Sequence, residues 1–168
     1  MRIPKINLDK NVYQGTEQAQ LAKGPGHYPS CGRFFAPPYC STYEEVWPGE
    51  RGRVIVGGHR SLGHADFFNL NRLRPGDRIY IQAKWGRFIY AVERVAVVDD
   101  DDSSTITPKV SHRELMLVTC HPKWSAAQRL LVFAVLKPPT RGRAQHHRLD
   151  KAARLPPVYL RRALLAGL

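Results

Sequence analysis

Leu115 to Leu136 reads LMLVTCHPKWSAAQRLLVFAVL. Two apolar runs, Leu115–Thr119 and Arg129–Leu136, flank the polar segment His121–Gln128, and each has the length of a buried strand. If the runs lie side by side, Cys120 ends one strand, Arg129 begins the next, and both side chains share one rim of a sheet. The rest of the chain reads the same way. Arg53–Val56 (RVIV) is short, β-branched and followed by Gly57-Gly58-His59. Arg78–Ala83 alternates, Lys84-Trp85-Gly86 forms a tight turn, and Arg87–Val98 returns, which predicts a hairpin. Arg2–Leu8 also alternates. Helical signals are short. Thr16–Leu21 starts on a capping Thr, and Asp66–Leu73 starts on a capping Asp and stops at Pro75-Gly76. Many short strands between turn signals predict a mainly β barrel or sandwich, with a few short helices in the connections.

The 168 residues suffice for one domain with its own core, and 43% hydrophobic with 24% charged residues is a globular composition, not a disordered one. No run approaches the ~20 apolar residues that span a bilayer, and Met1–Lys10 has no secretory pattern. Either the protein is cytosolic or the chain is a soluble piece without its anchor. The formal net charge is +12, of which Lys137–Leu168 carries +7. That basic tail suits an anionic partner such as nucleic acid, lipid or wall polymer, or is simply solvated. Asp99–Asp102 form a turn that either holds a cation or solvates a loop. Cys31 and Cys40 are nine residues apart and Cys120 stands alone, an odd count that suggests one pair and one free thiol.

His59, Cys120 and Arg129 are polar residues at the ends of apolar strands. Together they make a useful set. A thiolate is the competent nucleophile and a nearby cation favours it. An imidazole passes protons to and from reacting groups. A guanidinium holds the oxyanion that develops on an attacked carbonyl. Taken singly, each has a plainer reading as core filler, loop residue or surface charge.

The string Leu117-Val118-Thr119-Cys120-His121-Pro122, followed by Ser125–Arg129, resembles the TLxTC…R signature of sortases. Gly57-Gly58-His59-Arg60 resembles the family's GH segment, and Phe67–Asp77 resembles the run that follows it. Ile3–Ile6 and Gly15-Thr16 also fit. Gly26-His27-Tyr28-Pro29 and the TCHP form are similar to class E sortases of high-GC Gram-positive bacteria. The likeness runs in order from about residue 2 to residue 136. It departs at Met116, where the family usually has Thr, and at the insertion Cys31–Arg51; the tail 137–168 lies outside it.

The resemblance implies a closed eight-stranded sortase-like β-barrel over residues 1–136. It implies an enzyme that needs no cofactor or metal and works at the extracellular face of the plasma membrane, tethered there in its full-length form. Cys120 would attack the Thr carbonyl of an LPxTG or LAxTG sorting signal on a surface protein. Arg129 would steady the oxyanion, and His59 would protonate the departing Gly amine. An amine of a peptidoglycan precursor or of another protein would then take the acyl group. Thr119 would line or orient the groove, Tyr28 would read the second position of the signal, and His121 would set the loop after Cys120. An extracellular site also implies a Cys31–Cys40 disulfide. The rivals are a hydrolase using the same site with water, a basic binding module without catalysis, and a zinc site built on Cys31 and Cys40. The aromatics are not interleaved with the basic tail, which argues against nucleic acid. The nine-residue spacing is unlike a zinc knuckle.

Overall fold

β8 (Arg113–His121) and β9 (Gln128–Leu136) pair antiparallel in unbroken register, from Glu114 opposite Val135 to His121 opposite Gln128. Both faces of this pair are buried, which is why the two runs read as nearly continuous apolar sequence instead of alternating. On one face Leu115, Leu117, Leu130, Val132 and Ala134 join Ile3, Val54, Val56, Phe67, Leu70, Leu73, Ile79 and Tyr90 in the main core. On the other, Met116, Val118, Leu131 and Phe133 pack with Ile55 in a second cluster, against Tyr28, Ala96 and Val98. Each such fully buried side chain contributes about 1.5–3 kcal/mol.

The computed structural model describes residues 1–31, 40, 45–102 and 110–138. Its other elements are β1 (Arg2–Ile3), a 3-10 turn (Pro4–Ile6), β2 (Leu8–Asp9), β3 (Tyr13–Gln14), α1 (Gln18–Leu21), β4 (Gly26–His27), β5 (Gly52–Gly57), a second 3-10 turn (Leu70–Arg72), β6 (Arg78–Ala83) and β7 (Gly86–Asp99). β6 and β7 form the expected hairpin, with Ala83 opposite Gly86 and only Lys84-Trp85 between them. β7 then pairs with β9, and its register shifts between Val92 and Arg94, an irregularity that bends a fourteen-residue strand around the core. β5 runs parallel to β8, from Gly52 opposite Arg113 to Gly57 opposite Val118. A parallel pair needs a long crossover, and the stretch between β5 and β8, which includes the β6–β7 hairpin, supplies it.

The mainly β, barrel-like architecture is the expected one, but its details differ. Among the described residues the sheet has nine strands in the order β2-β1-β6-β7-β9-β8-β5-β4-β3, with β2 and β3 at its ends, where a closed ladder of eight was expected. The expected strand Arg2–Leu8 is two short strands around a 3-10 turn, because Pro4 starts the turn and Asn7 reverses the chain at φ 53°. α1 starts at Gln18 with Glu17, not Thr16, at the N-cap and no side-chain cap bond; Thr16 is buried. Only Leu70–Arg72 of the expected Asp66–Leu73 helix is helical, and the Asp66 carboxylate is spent on Lys10 Nζ at 3.2 Å instead of capping.

Cys31 and Cys40 are disulfide-bonded with Cα atoms 5.0 Å apart, which leaves Cys120 as the free thiol and removes the zinc alternative. Most of the insertion 31–51 (32–39 and 41–44) and the tail from residue 139 onward lie outside the described residues, as do the readings made of them. No helix among the described residues is long and apolar enough to cross a membrane.

Candidate functional site

The site is assembled by three neighbouring strands. Cys120 and Arg129 are direct partners in the β8–β9 ladder, so their side chains leave the same face on the same rung. Alternation puts them in line with Val118 and Leu131 of the second cluster, at the end where the ladder opens into the 122–127 loop. β5 brings in the third residue. The ladder continues past Gly57 through Gly58 N–H, which donates to the Val118 carbonyl at 3.1 Å. The Thr119 hydroxyl then donates to the Gly58 carbonyl at 2.7 Å. His59 is the next residue and therefore reaches the rim of Cys120.

Both glycines before His59 are required by close approach. A Cβ on Gly57 would lie 2.8 Å from Cε2 of Tyr28, and one on Gly58 would lie 2.8 Å from Cδ2 of the fully buried Phe67. The Tyr28 ring therefore lies against the strand that leads to His59, on the face of the second cluster. Its backbone N–H is held by the Ile55 carbonyl at 2.9 Å.

The polar groups are in different states of engagement. His59 Nε2 is buried and has no hydrogen-bond partner among the described residues, an unmet bonding capacity of the kind that clusters at functional sites. Cys120 is half-buried. Arg129 Nη1 donates to the carbonyls of Ala126 (2.7 Å) and Gln128 (3.1 Å), tethering the loop, while Nη2 lies 3.9 Å from the exposed Asp100 carboxylate. That ion pair is solvent-facing and weak. Thr119 is 3% exposed, and its hydroxyl bond to Gly58 ties the two strands together. His121 follows Cys120 at the end of β8 and is joined to Pro122 by a cis peptide bond.

Arg60 was quoted in the sequence only as part of a motif, yet the structure draws it into the site. It is 3% exposed. Its Nε donates to the Phe68 carbonyl (3.2 Å), and its Nη1 donates to the Cys120 carbonyl (3.1 Å) and to His121 Nδ1 (3.4 Å). Burial pulls its pKa below the ordinary arginine value, and the charge of an ionised Cys120 pulls it back up. The only signal in the sequence was its place directly after His59. Further contacts stitch the same two segments together: Trp124 N–H donates to Ser61 Oγ at 3.0 Å, and Trp124 and Lys123 both pack on the Phe68 ring. Among the described residues no group of three or more His, Cys, Asp or Glu is placed to hold a metal ion.

A free thiol, an imidazole and a guanidinium, carried near the ends of neighbouring strands of a curled β sheet, are the groups that thiol-based covalent chemistry employs. A family model of the sortase domain matches residues 1–137, and the chain belongs to the sortase family. It is 32% identical over 122 residues to Sortase D of Bacillus subtilis, covering 73% of this chain and 53% of that one. It is 24% identical over 156 residues to Sortase SrtE1 of Streptomyces coelicolor, covering 85% of this chain and 42% of that one. The chain thus spans about half the length of the curated relatives it matches. The crystal structure of sortase C-1 from Actinomyces oris superposes with a TM-score of 0.68 at 26% identity, over 81% of this chain and 69% of that one.

Proposed function

We propose that the chain is the catalytic part of a cysteine transpeptidase that cleaves a C-terminal sorting signal of the LPxTG or LAxTG type between Thr and Gly. The observation that carries this is the free thiol of Cys120 on the same ladder rung as Arg129, with His59 following the Gly58–Val118 bond that joins its segment to the Cys120 strand. In the first half-reaction Cys120 Sγ forms a bond to the Thr carbonyl carbon. The carbonyl oxygen becomes an oxyanion, and Arg129 offers it N–H donors not spent on the loop. His59 gives a proton to the Gly nitrogen as the C–N bond breaks, which leaves a thioacyl-enzyme. In the second half-reaction an amine attacks the thioacyl carbon, His59 takes its proton, and the C–S bond breaks to restore Cys120.

In this reading Tyr28 reads the second position of the signal; its ring packs on Gly57, in the strand that leads to His59, which supports that role. The class E assignment rests on the Gly26–Pro29 segment and on the SrtE1 relative, while the higher identity to Sortase D makes class D its competitor. The Cys31–Cys40 disulfide supports an oxidising, extracellular location, with the whole protein tethered to the membrane.

The test is incubation with LAxTG and LPxTG peptides, with and without an added amine, followed by mass analysis of the products. Ligation to the amine is expected, with none in Cys120→Ala. Retained turnover in Cys120→Ala would sink the nucleophile assignment. Release of free acid only, at any amine concentration, would make the protein a hydrolase.

A further inference from the structure

We propose that Arg60 is a positioning residue for the nucleophile. It ties the end of the Cys120 strand to the His59 segment and supplies a fixed positive charge that favours the anionic sulfur. The inference rests on the reading of Cys120 as the nucleophile.

The argument begins with the company Arg60 keeps. Arginine is almost never fully buried unless it is paired, because burying an uncompensated charge is costly. Arg60 is 3% exposed, yet no carboxylate among the described residues lies within ion-pair distance of it. Arg53, a half-buried arginine of β5, behaves conventionally: its Nε meets the buried carboxylate of Glu114. None of the three partners of Arg60 is a carboxylate: they are two backbone carbonyls and a ring nitrogen. Its Nη1 instead lies 3.1 Å from the main-chain carbonyl of Cys120, which puts a buried cation next to the residue read as the nucleophile.

Arg129 does not duplicate this. Its side chain is 23% exposed and its Nη1 is committed to the loop carbonyls of Ala126 and Gln128, whereas a buried guanidinium acts with little solvent screening. Arg60 also directly follows His59. The bond from Nη1 to the Cys120 carbonyl therefore fixes the chain at the base to the chain at the nucleophile. The 3.4 Å contact between Nη1 and His121 Nδ1 extends the same link to the residue after the nucleophile.

Arg60→Met removes the charge at similar volume. Arg60→Lys keeps a charge and loses the planar fork. Both are compared with the parent by circular dichroism, by melting, by iodoacetamide alkylation of Cys120 at pH 7 and pH 10, and by kcat and KM for peptide cleavage. In Arg60→Met, alkylation at pH 7 is expected to slow about tenfold while that at pH 10 stays within about twofold, because alkali ionises the sulfur with or without a cation. Its kcat falls while KM stays near the parental value. Arg60→Lys is expected to regain alkylation at pH 7 but not kcat.

A folded Arg60→Met with parental alkylation at pH 7 overturns the proposal. So does one slowed equally at both pH values, which is the signature of a merely structural role. If Arg60→Met does not fold, Arg60→Lys decides alone, and parental kcat in it overturns the proposal. The two readings fail separately. Turnover in Cys120→Ala defeats the nucleophile assignment, whereas an inert Cys120→Ala beside a parental Arg60→Met defeats only the role of Arg60.

Discussion

The Thr119 hydroxyl donates to the Gly58 carbonyl at 2.7 Å, a side-chain bridge between the strand that carries Cys120 and the segment that leads to His59. Gly58 N–H is already bonded to the Val118 carbonyl, so the two bonds together clamp β5 to β8 one residue before His59 and one before Cys120. Thr119→Val keeps the shape and removes the donor, leaving the Gly58 carbonyl without that bond. The expected loss is about 1–2 kcal/mol of stability. Because His59 is released at the same time, kcat should fall by about tenfold or more, in line with the cost of misplacing a catalytic group. Thermal melting and steady-state kinetics on the same preparation check both. Lost stability with parental kcat would show that the clamp holds the fold and not the base.

Tyr28 and Gly57 form the second pair that shapes the site, and their roles separate by kinetics. Tyr28→Ala should raise KM for a sorting-signal peptide about tenfold, the value of roughly 1.4 kcal/mol of lost contact, with a smaller effect on kcat. Tyr28→Phe keeps the ring on Gly57 and reports on the hydroxyl alone. The informative comparison is between LAxTG and LPxTG peptides. A role in reading the second position changes the ratio of their KM values. An equal loss on both peptides with a lower Tm marks Tyr28 as packing for the cluster around Ile55 and Val118.

The disulfide is separate from the chemistry. It closes a short ring, with a sequence separation of 9, in the insertion before β5. Cys31→Ala with Cys40→Ala should cost about 2–3 kcal/mol, the loop-entropy value for a ring of this size. Peptide turnover by the folded fraction should be unchanged. Alkylation under non-reducing conditions, read by mass spectrometry, should label one thiol, and labelling of all three would contradict the bond.

What the sequence disclosed follows from which constraints are local. β5 to β9 were legible because six to fourteen residues of pattern each carry the face they bury. The short N-terminal strands were not, because Pro4 and the left-handed Asn7 divide a run whose alternation alone reads as one strand. Both expected helix caps failed for tertiary reasons. Asp66 spends its oxygen on Lys10, and Thr16 is buried, with the helix beginning two residues later at Gln18 and Glu17 at its N-cap. Cys120, His59 and Arg129 stood out as polar residues at apolar strand ends and were chosen by their likeness to the sortase signature; the β5–β8–β9 order sets their strands side by side. Arg60 was illegible because its contacts are with residues 120 and 121, and only the parallel pairing of β5 with β8 brings those together.

Arg129 is the residue whose chemistry is most separable from its structure. Its Nη1 holds the 122–127 loop through two carbonyls, and its remaining donors are the ones an oxyanion can use. Arg129→Ala removes both functions and should lower kcat by about 10²–10³, the usual value of one oxyanion donor. Arg129→Lys retains a charge opposite Cys120, but a single ammonium cannot both hold the loop and reach a developing oxyanion, so it should recover little of that loss. Asp100→Asn serves as the control. Its exposed carboxylate sits 3.9 Å from Nη2, and removing an ion pair of that kind should change kcat and Tm very little. Substantial recovery of kcat in Arg129→Lys would mean that charge alone suffices and that the planar fork is needed only for the loop.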